Sequence, residues 1–302
     1  MNTIIQCFLS LLVIVLLILI YKKREEDESK LGLKIVGYYL LGVCTFRLDG
    51  IAIPLGFLIY LLFFRPTQNG TTKRAAAFLG LAIFILQLVI PAVENYLYER
   101  PREAAVSSEN MFEIQFTNDW NRIRDQLGID PNARLEDFRA EYQRNGQIEK
   151  LSYDVIGHSD DEYIYYEIAY SSETNTYTIE RRKVGDRWLQ YDRTVLASRF
   201  FEVLDQVQVR TLSRYHSSDG NILLRSDGQM DNYAIEDTKK YLIQENELTA
   251  IANDKLPVTG YSINTCERAL TMKTPSGPVS TSGCINQTDF FFDVTDSRDP
   301  LR

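Results

Sequence analysis

Beyond the first hundred residues, the side chains able to do chemistry are few in type: two cysteines, the chain's 2 histidines and a surplus of carboxylates. Cys266 and Cys284 flank a turn-rich segment, KTPSGPVSTSG, that could fold them together. In an oxidising compartment they could close a disulfide worth about 3 kcal/mol by loop entropy. The alternative is two unconnected small residues, because spacing alone does not supply the geometry of a bridge. With this part of the chain outside the membrane, the disulfide is the favoured reading. Neither cysteine has a CxxC partner, and His158 and His216 are distant in sequence, so the pattern does not read as a zinc site.

The histidines are the imidazole bases available, with Ser159 and Ser217 as neighbours. Adjacency in sequence says little, since nucleophile and base are assembled from distant segments. No GxSxG elbow, HExxH pair or GxxxxGK[ST] loop occurs in the polar part. The run His158-Ser159-Asp160-Asp161-Glu162 has cation-binding side chains, but a charged turn between strands accounts for it equally. Asp227, Gly228, Asp231 and Asn232 resemble part of a calcium loop without its regular alternation or closing Glu. A two-carboxylate hydrolase is compatible with the composition, yet nothing singles out a pair. Tyrosines (18 in all) at strand spacing read first as half-buried sheet residues. No catalytic, cofactor-binding or metal-ligating residue is therefore assigned, and no cofactor is expected.

The elements that must position these groups alternate in period. Trp120, Ile123 and Leu127 make a helical stripe, with Asn118 or Asp119 as cap and Gly128 as stop. Asp130, Pro131, Leu135, Phe138, Tyr142 and Asn145-Gly146 predict a second helix. From Gln147 the period becomes two: QIEKLSYDVIG, EYIYYEIAYSS, TYTIERRKVGD and RWLQYDRTV read as an antiparallel meander with one apolar side. Ile164, Tyr166, Ile168 and Tyr170 share one face of the second strand; Tyr163, Tyr165 and Glu167 share the other. In ASRFFEVLDQV, residues Leu196, Phe200, Val203, Leu204 and Val207 form the stripe of a helix that covers the apolar face. Short strands follow at Ile222–Leu224, Tyr241–Ile243, Tyr261–Ala269 and Asp289–Val294. Residues 111–302 are read as one acidic α+β domain, with 211 as the place for any subdivision.

The first third is of another kind. Residues 3–21 form an uncharged apolar run ending in Tyr-Lys-Lys-Arg, which reads as a retained anchor rather than a cleaved signal. Residues 31–46 and 51–64 flank Arg47-Leu48-Asp49-Gly50, whose charges suit a headgroup-level turn. The pair predicts a short or re-entrant hairpin. A further span covers 75–92, ending at Pro91, and 95–110 is a polar connector. The loops at 22–30 and 65–74 carry four and three basic residues, which favours placing both in the cytoplasm. The N-terminus and everything after residue 95 then lie outside.

Charge divides the same way. Residues 1–103 carry 11 Lys/Arg against 8 Asp/Glu, and the remainder carries 22 against 33. An acidic domain has little with which to neutralise phosphates, which argues against a nucleic-acid partner. The expected architecture is a multi-pass α-helical membrane anchor (1–94) followed by a soluble α+β domain with an antiparallel meander and flanking helices. The plan resembles bacterial membrane proteins with a small multi-pass anchor and an extracytoplasmic domain, a likeness of architecture with no family motif behind it. The leading functional reading is a non-enzymatic binding or sensing module at the plasma membrane. Its partners would be the lipid bilayer and an extracytoplasmic ligand or membrane protein. The alternatives are an extracytoplasmic carboxylate hydrolase and an accessory subunit of a membrane complex.

Overall fold

The structure is a computed structural model that describes residues 3–48, 51–64, 66–159, 162–185, 191–214, 216, 220–234, 237–244, 247–268, 273–274, 277–278 and 284–295. Two compact units make up the chain, Met1–Tyr98 and Glu99–Arg302.

The first unit contains helices α1 (Thr3–Lys22), α2 (Leu31–Val43), α3 (Leu55–Phe63) and α4 (Gly70–Glu99). Between α2 and α3 a small antiparallel hairpin pairs β1 (Phe46–Leu48) with β2 (Ile51–Ile53). By length and composition α4 is long and apolar enough to cross a membrane; the apolar stretches Cys7–Lys22 and Leu31–Val43 are shorter. The hairpin corrects the expectation of helices over 31–46 and 51–64. Phe46, Ile51 and Ile53 favour extended backbone, so the helical arms shrink to 13 and 9 residues. Arg47 is exposed on β1, and Asp49 and Gly50 lie outside the described residues. The span expected over 75–92 starts earlier and runs through Pro91 to Glu99. Pro91 removes one backbone donor, a loss that long apolar helices tolerate when neighbouring groups serve the freed carbonyl.

Glycines set the helix contacts. A Cβ on Gly42 or Gly80 would collide with the Ala77 or Tyr39 carbonyl, and one on Gly56 with that of Leu41. Backbones at such close approach gain packing that bulkier residues would prevent.

The loops before α2 and before α4 are bound together. The Asn69 side chain accepts the N–H groups of Glu25 and Glu26 at 2.9 and 3.0 Å. It donates to the Glu26 carbonyl and the Glu28 carboxylate at 3.0 and 3.1 Å. Lys34 and Lys73 reach the same Glu28 oxygen at 2.6 and 2.8 Å. Held first by Lys34, then Lys73 and Asn69, the Glu28 carboxyl is lowered to about 2.

The second unit is mixed α+β, built on a large, mostly antiparallel sheet with helices on one face. In chain order it comprises β3 (Arg102–Ala105), α5 (Phe116–Leu127), β4 (Arg134–Tyr142), β5 (Ile148–Ser159), β6 (Glu162–Ser171) and β7 (Thr176–Gly185). Then come α6 (Ala197–Val207), α7 (Val209–Ser213), β8 (Ile222–Ser226), β9 (Met230–Tyr233), β10 (Lys239–Gln244) and β11 (Glu247–Ala250). It ends with β12 (Val258–Arg268), the two-residue pair β13 (Lys273–Thr274) and β14 (Gly277–Pro278), and β15 (Cys284–Thr295). Among the described residues the sheet order is β11-β10-β15-β12-β8-β4-β5-β6-β7-β3, with β9 beside β12; β10 and β15 run parallel. Strand β8 lies between β4 and β12, so the strands after residue 211 continue the sheet begun at β4.

Aromatic side chains join α5 and α6 to one sheet face. Phe138 lies 5.1 Å from Phe200 and Tyr153 4.9 Å from Phe201, ring centre to ring centre; Trp120 meets Phe201 at 5.7 Å. Such edge and tilted pairs add to the large apolar area these residues bury.

Local detail departs from the sequence reading in several places. Helix α5 starts at Phe116, ahead of the expected caps, because its free N–H groups are served from outside. Asp205 of α6 accepts Phe116 N at 3.0 Å and Thr117 N at 2.8 Å. Asp119, buried in the first turn, accepts the Ser107 N–H and hydroxyl. Gly128 ends the helix with φ 64°, as its place predicts.

The helix expected over 130–146 is strand β4. A bulge between Leu135 and Asp137 inserts a residue, so Leu135 and Phe138 face the core although three apart. Phe138 and Tyr142 follow at strand period, and the three together imitate a helical stripe. The strand expected over 187–195 is a 3₁₀ turn at Tyr191–Arg193 with one bridge, Thr194 to Gln229; residues 186–190 lie outside the described residues. The connector expected over 95–110 contains the end of α4 and the edge strand β3, which pairs with β7.

Candidate functional site

The face opposite α5 and α6 carries the other parity of each strand. In β4, the residue before the inward Phe138 is Asp137, and it stands opposite Asp154 in β5. Asp154 stands opposite Glu167 in β6, and Glu167 opposite Glu180 in β7. Four carboxylates on four adjacent strands thus form one row across the sheet. One register step away, Arg225 of β8 faces Arg139 of β4, which faces Ser152 of β5. On the other side of the row Tyr165 faces Arg182, whose guanidinium lies 4.6 Å from the tyrosine ring centre. The open face is therefore striped: arginines, carboxylates, then a cation–aromatic pair.

Directly opposed like charges destabilise a sheet, and within the row it is Asp154 that carries the mark of both neighbours. Although Asp137 is exposed as a residue, desolvation of its carboxyl by the neighbouring side chains raises it; Arg139 opposes the rise and Asp227 aids it. Partial burial likewise raises Asp154; Glu167 and Asp137 add to the rise, while a hydrogen bond from Tyr165 and the charge of Arg182 oppose it. The Tyr165 hydroxyl donates to Asp154 Oδ2 at 2.5 Å. Burial and that carboxylate push the phenol up. Asp137, Glu167 and Glu180 are exposed and Asp154 is half-buried. Beside the row, Tyr165, Glu167, Glu180 and Arg182 border a shallow depression of about 200 Å³. The carboxylates stand on a strand surface and do not flank a deep cleft.

The residues singled out in the sequence are dispersed. Cys266 and Cys284 come together at disulfide distance, Cα to Cα 5.4 Å, tying the end of β12 to the start of β15. His158 is exposed at the end of β5, its ring 4.9 Å from Tyr163. Ser159 lies beside it on β5; Asp160 and Asp161 fall outside the described residues, and Glu162 pairs with Lys183 at 2.5 Å. Asp227 accepts Gln229 N in its own turn, where Gly228 has φ 68°, and Asp231 and Asn232 lie on β9. Among the described residues no group of three or more His, Cys, Asp or Glu could hold a metal ion.

His216 is on the opposite, helix-covered side of the sheet. Its Nε2 lies 2.8 Å from Thr265 Oγ1, and its Nδ1, without a hydrogen bond, is 3.9 Å from Glu267 Oε1. Ser217 lies outside the described residues. Hydroxyl, imidazole and carboxylate follow the order of a nucleophilic triad, but Thr265 is 0% exposed and no substrate atom reaches it. Burial lowers the His216 pKa; Glu267 opposes this and Lys239 adds to it. A neutral imidazole therefore bridges the strand and the turn after α7, a structural role.

The carboxylate row was not assigned from sequence. Period alone puts Glu167 with Tyr163 and Tyr165 on one face of its strand; its neighbours in the row depend on cross-strand register, which bulges and turn lengths set.

No curated protein and no solved structure matches the chain. A family model described as an archaeal family matches residues 117–282, more than half of the chain and all four carboxylates of the row. The chain belongs to this archaeal family.

Proposed function

We propose that this protein is a binding module held at the outer face of the plasma membrane by a multi-pass anchor, and that it recognises a cationic ligand or partner through the open sheet face. The observation that carries the reading is the row Asp137–Asp154–Glu167–Glu180. A strand surface bearing four facing carboxylates gives up stability, and a ligand that supplies positive charge relieves that repulsion.

The anchor half of the proposal rests on three supports. Helix α4 suffices for one crossing. Large apolar side chains stay exposed along the unit, among them Leu33 at 72% and Phe63 at 76%. The two basic loops are hydrogen-bonded to each other through Asn69, Glu28 and Lys73. Loops that touch lie on one side of a membrane, which fits an α2–α3 hairpin that returns to its starting side. By the bias of basic loops that side is the cytoplasm, and α4 then carries the chain outward.

The test uses the full chain in lipid nanodiscs and a hexalysine peptide as probe, with hexaserine as control. Hexalysine is expected to bind in a salt-sensitive manner, and Asp154→Asn with Glu167→Gln to weaken it at least several-fold. Equal binding by wild type and variant, or none by wild type, would overturn the recognition half.

The raised carboxyls of Asp137 and Asp154 favour one second reading, a hydrolase in which one of them serves as general acid. Turnover of a glycoside substrate that disappears with Asp154→Asn would establish it instead.

A further inference from the structure

Not every basic residue of the anchor loops is engaged. Lys34 and Lys73 are bound to Glu28, and Arg24 to Asp27 and the Tyr21 hydroxyl. The ammonium groups of Lys22 and Lys23 have no partner among the described residues, and both side chains are exposed. They stand at the C-terminal end of α1, on the rim of a groove of about 570 Å³ between α1 and the start of α4. Leu16, Leu19 and Ala75 form its apolar wall, and Thr72 joins the lysines at the polar end. Helix α4 begins at Gly70, so the positive end of its dipole lies at that same end, where the Thr71 hydroxyl donates to the Glu25 carboxylate at 2.5 Å and the Thr72 hydroxyl to the Lys23 carbonyl. The groove is amphipathic lengthwise: apolar along the helices, polar and rimmed by two lysines where they emerge.

We infer that this groove is a specific site for an anionic phospholipid, an acyl chain lying against Leu16, Leu19 and Ala75 and the headgroup phosphate between Lys22 and Lys23. The inference rests on the membrane reading above, because only a bilayer supplies a chain and a charged headgroup in that arrangement. Charge complementarity selects an anionic over a zwitterionic lipid. The ammonium groups of Lys22 and Lys23 meet the phosphate, and a choline group would add a third positive charge beside them.

The experiment is native mass spectrometry of the full chain in detergent, offered equal amounts of phosphatidylglycerol and phosphatidylcholine. The wild type is expected to retain phosphatidylglycerol selectively. Each of Lys22→Gln and Lys23→Gln is expected to weaken that retention about fivefold, the factor for one lysine near an anionic surface. Lys30→Gln, which removes an exposed lysine from the same loop but not from the groove, is expected to leave it unchanged. Equal retention of the two lipids by wild type, or an unchanged preference in the variant combining Lys22→Gln with Lys23→Gln, would overturn the site. An equal loss in Lys30→Gln would overturn it too, by showing a diffuse charge effect. Alkaline extraction of cell membranes tests the underlying reading separately: a wild-type chain released by alkali is not embedded, whatever lipid it retains.

Discussion

Replacing Asp154 by Asn removes a charge that faces Asp137 on one side and Glu167 on the other, while keeping an oxygen to accept the Tyr165 hydroxyl. In most half-buried positions, loss of a hydrogen-bonded carboxylate destabilises a protein. Here the variant is expected to be more stable at pH 7 by about 0.5 kcal/mol, the scale of one like-charge cross-strand pair. The sign with pH follows from the raised carboxyls of Asp137 and Asp154. The folded state holds protons that the unfolded chain has released, so stability from these groups is present below the ordinary aspartate range of about 3.9 and is lost as pH rises through their raised values. The advantage of Asp154→Asn therefore shrinks toward zero on acidification. Denaturant titrations of the full chain in detergent, followed by tryptophan fluorescence at pH 7 and pH 4, measure it. A destabilised variant at pH 7 would show that Asp154 is a structural acceptor and not part of a strained surface. Glu28 behaves in the opposite sense. Lowered to about 2, it stabilises the anchor loops above the ordinary glutamate range and loses that contribution only as pH falls through its folded value.

At the scale of elements, the contact between α5 and α6 runs through one carboxylate as well as through aromatic rings. Asp205→Ala leaves Phe116 N and Thr117 N without their acceptor and is expected to cost about 1 kcal/mol, as loss of an N-cap does. The same denaturant titration measures this, and an unchanged midpoint would mean that water serves those groups as well. The case also marks what the sequence could convey. The apolar stripe of α6, Phe200, Val203, Leu204 and Val207, and the alternation of β5 and β6 are local periodicities, and each of those elements lies where its pattern puts it. The start of α5 was not legible, because its cap, Asp205, lies nearly ninety positions away on another helix. Strand β4 was misread because its bulge converts a two-residue period into the three-and-four spacing of a helix. Strands β3, β9 and β11 have four residues each, too few for a period to show. The carboxylate row needed three registers at once, and no single-strand pattern contains them. The proximity of Cys266 and Cys284 was legible as an option, since both flank a turn-rich segment; the structure supplies the 5.4 Å between their Cα atoms.

For the whole molecule, composition divides the chain before any element is drawn: apolar and slightly basic first, acidic afterwards. The compact units Met1–Tyr98 and Glu99–Arg302 follow that division. The proposed role depends on which side of the membrane the second unit occupies, because a cationic partner outside and one inside are different partners. Cysteine labelling decides it. In a full chain carrying Cys7→Ser and Cys44→Ser, one variant adds Glu173→Cys in the exposed turn after β6, and another adds Gln68→Cys in the exposed loop before α4. A membrane-impermeant maleimide is applied to intact cells. With the second unit outside, the cysteine at 173 is labelled without further treatment, and the cysteine at 68 only after the membrane is opened. Labelling of 68 in intact cells, with 173 protected until the membrane is opened, would contradict it and place the carboxylate face in the cytoplasm.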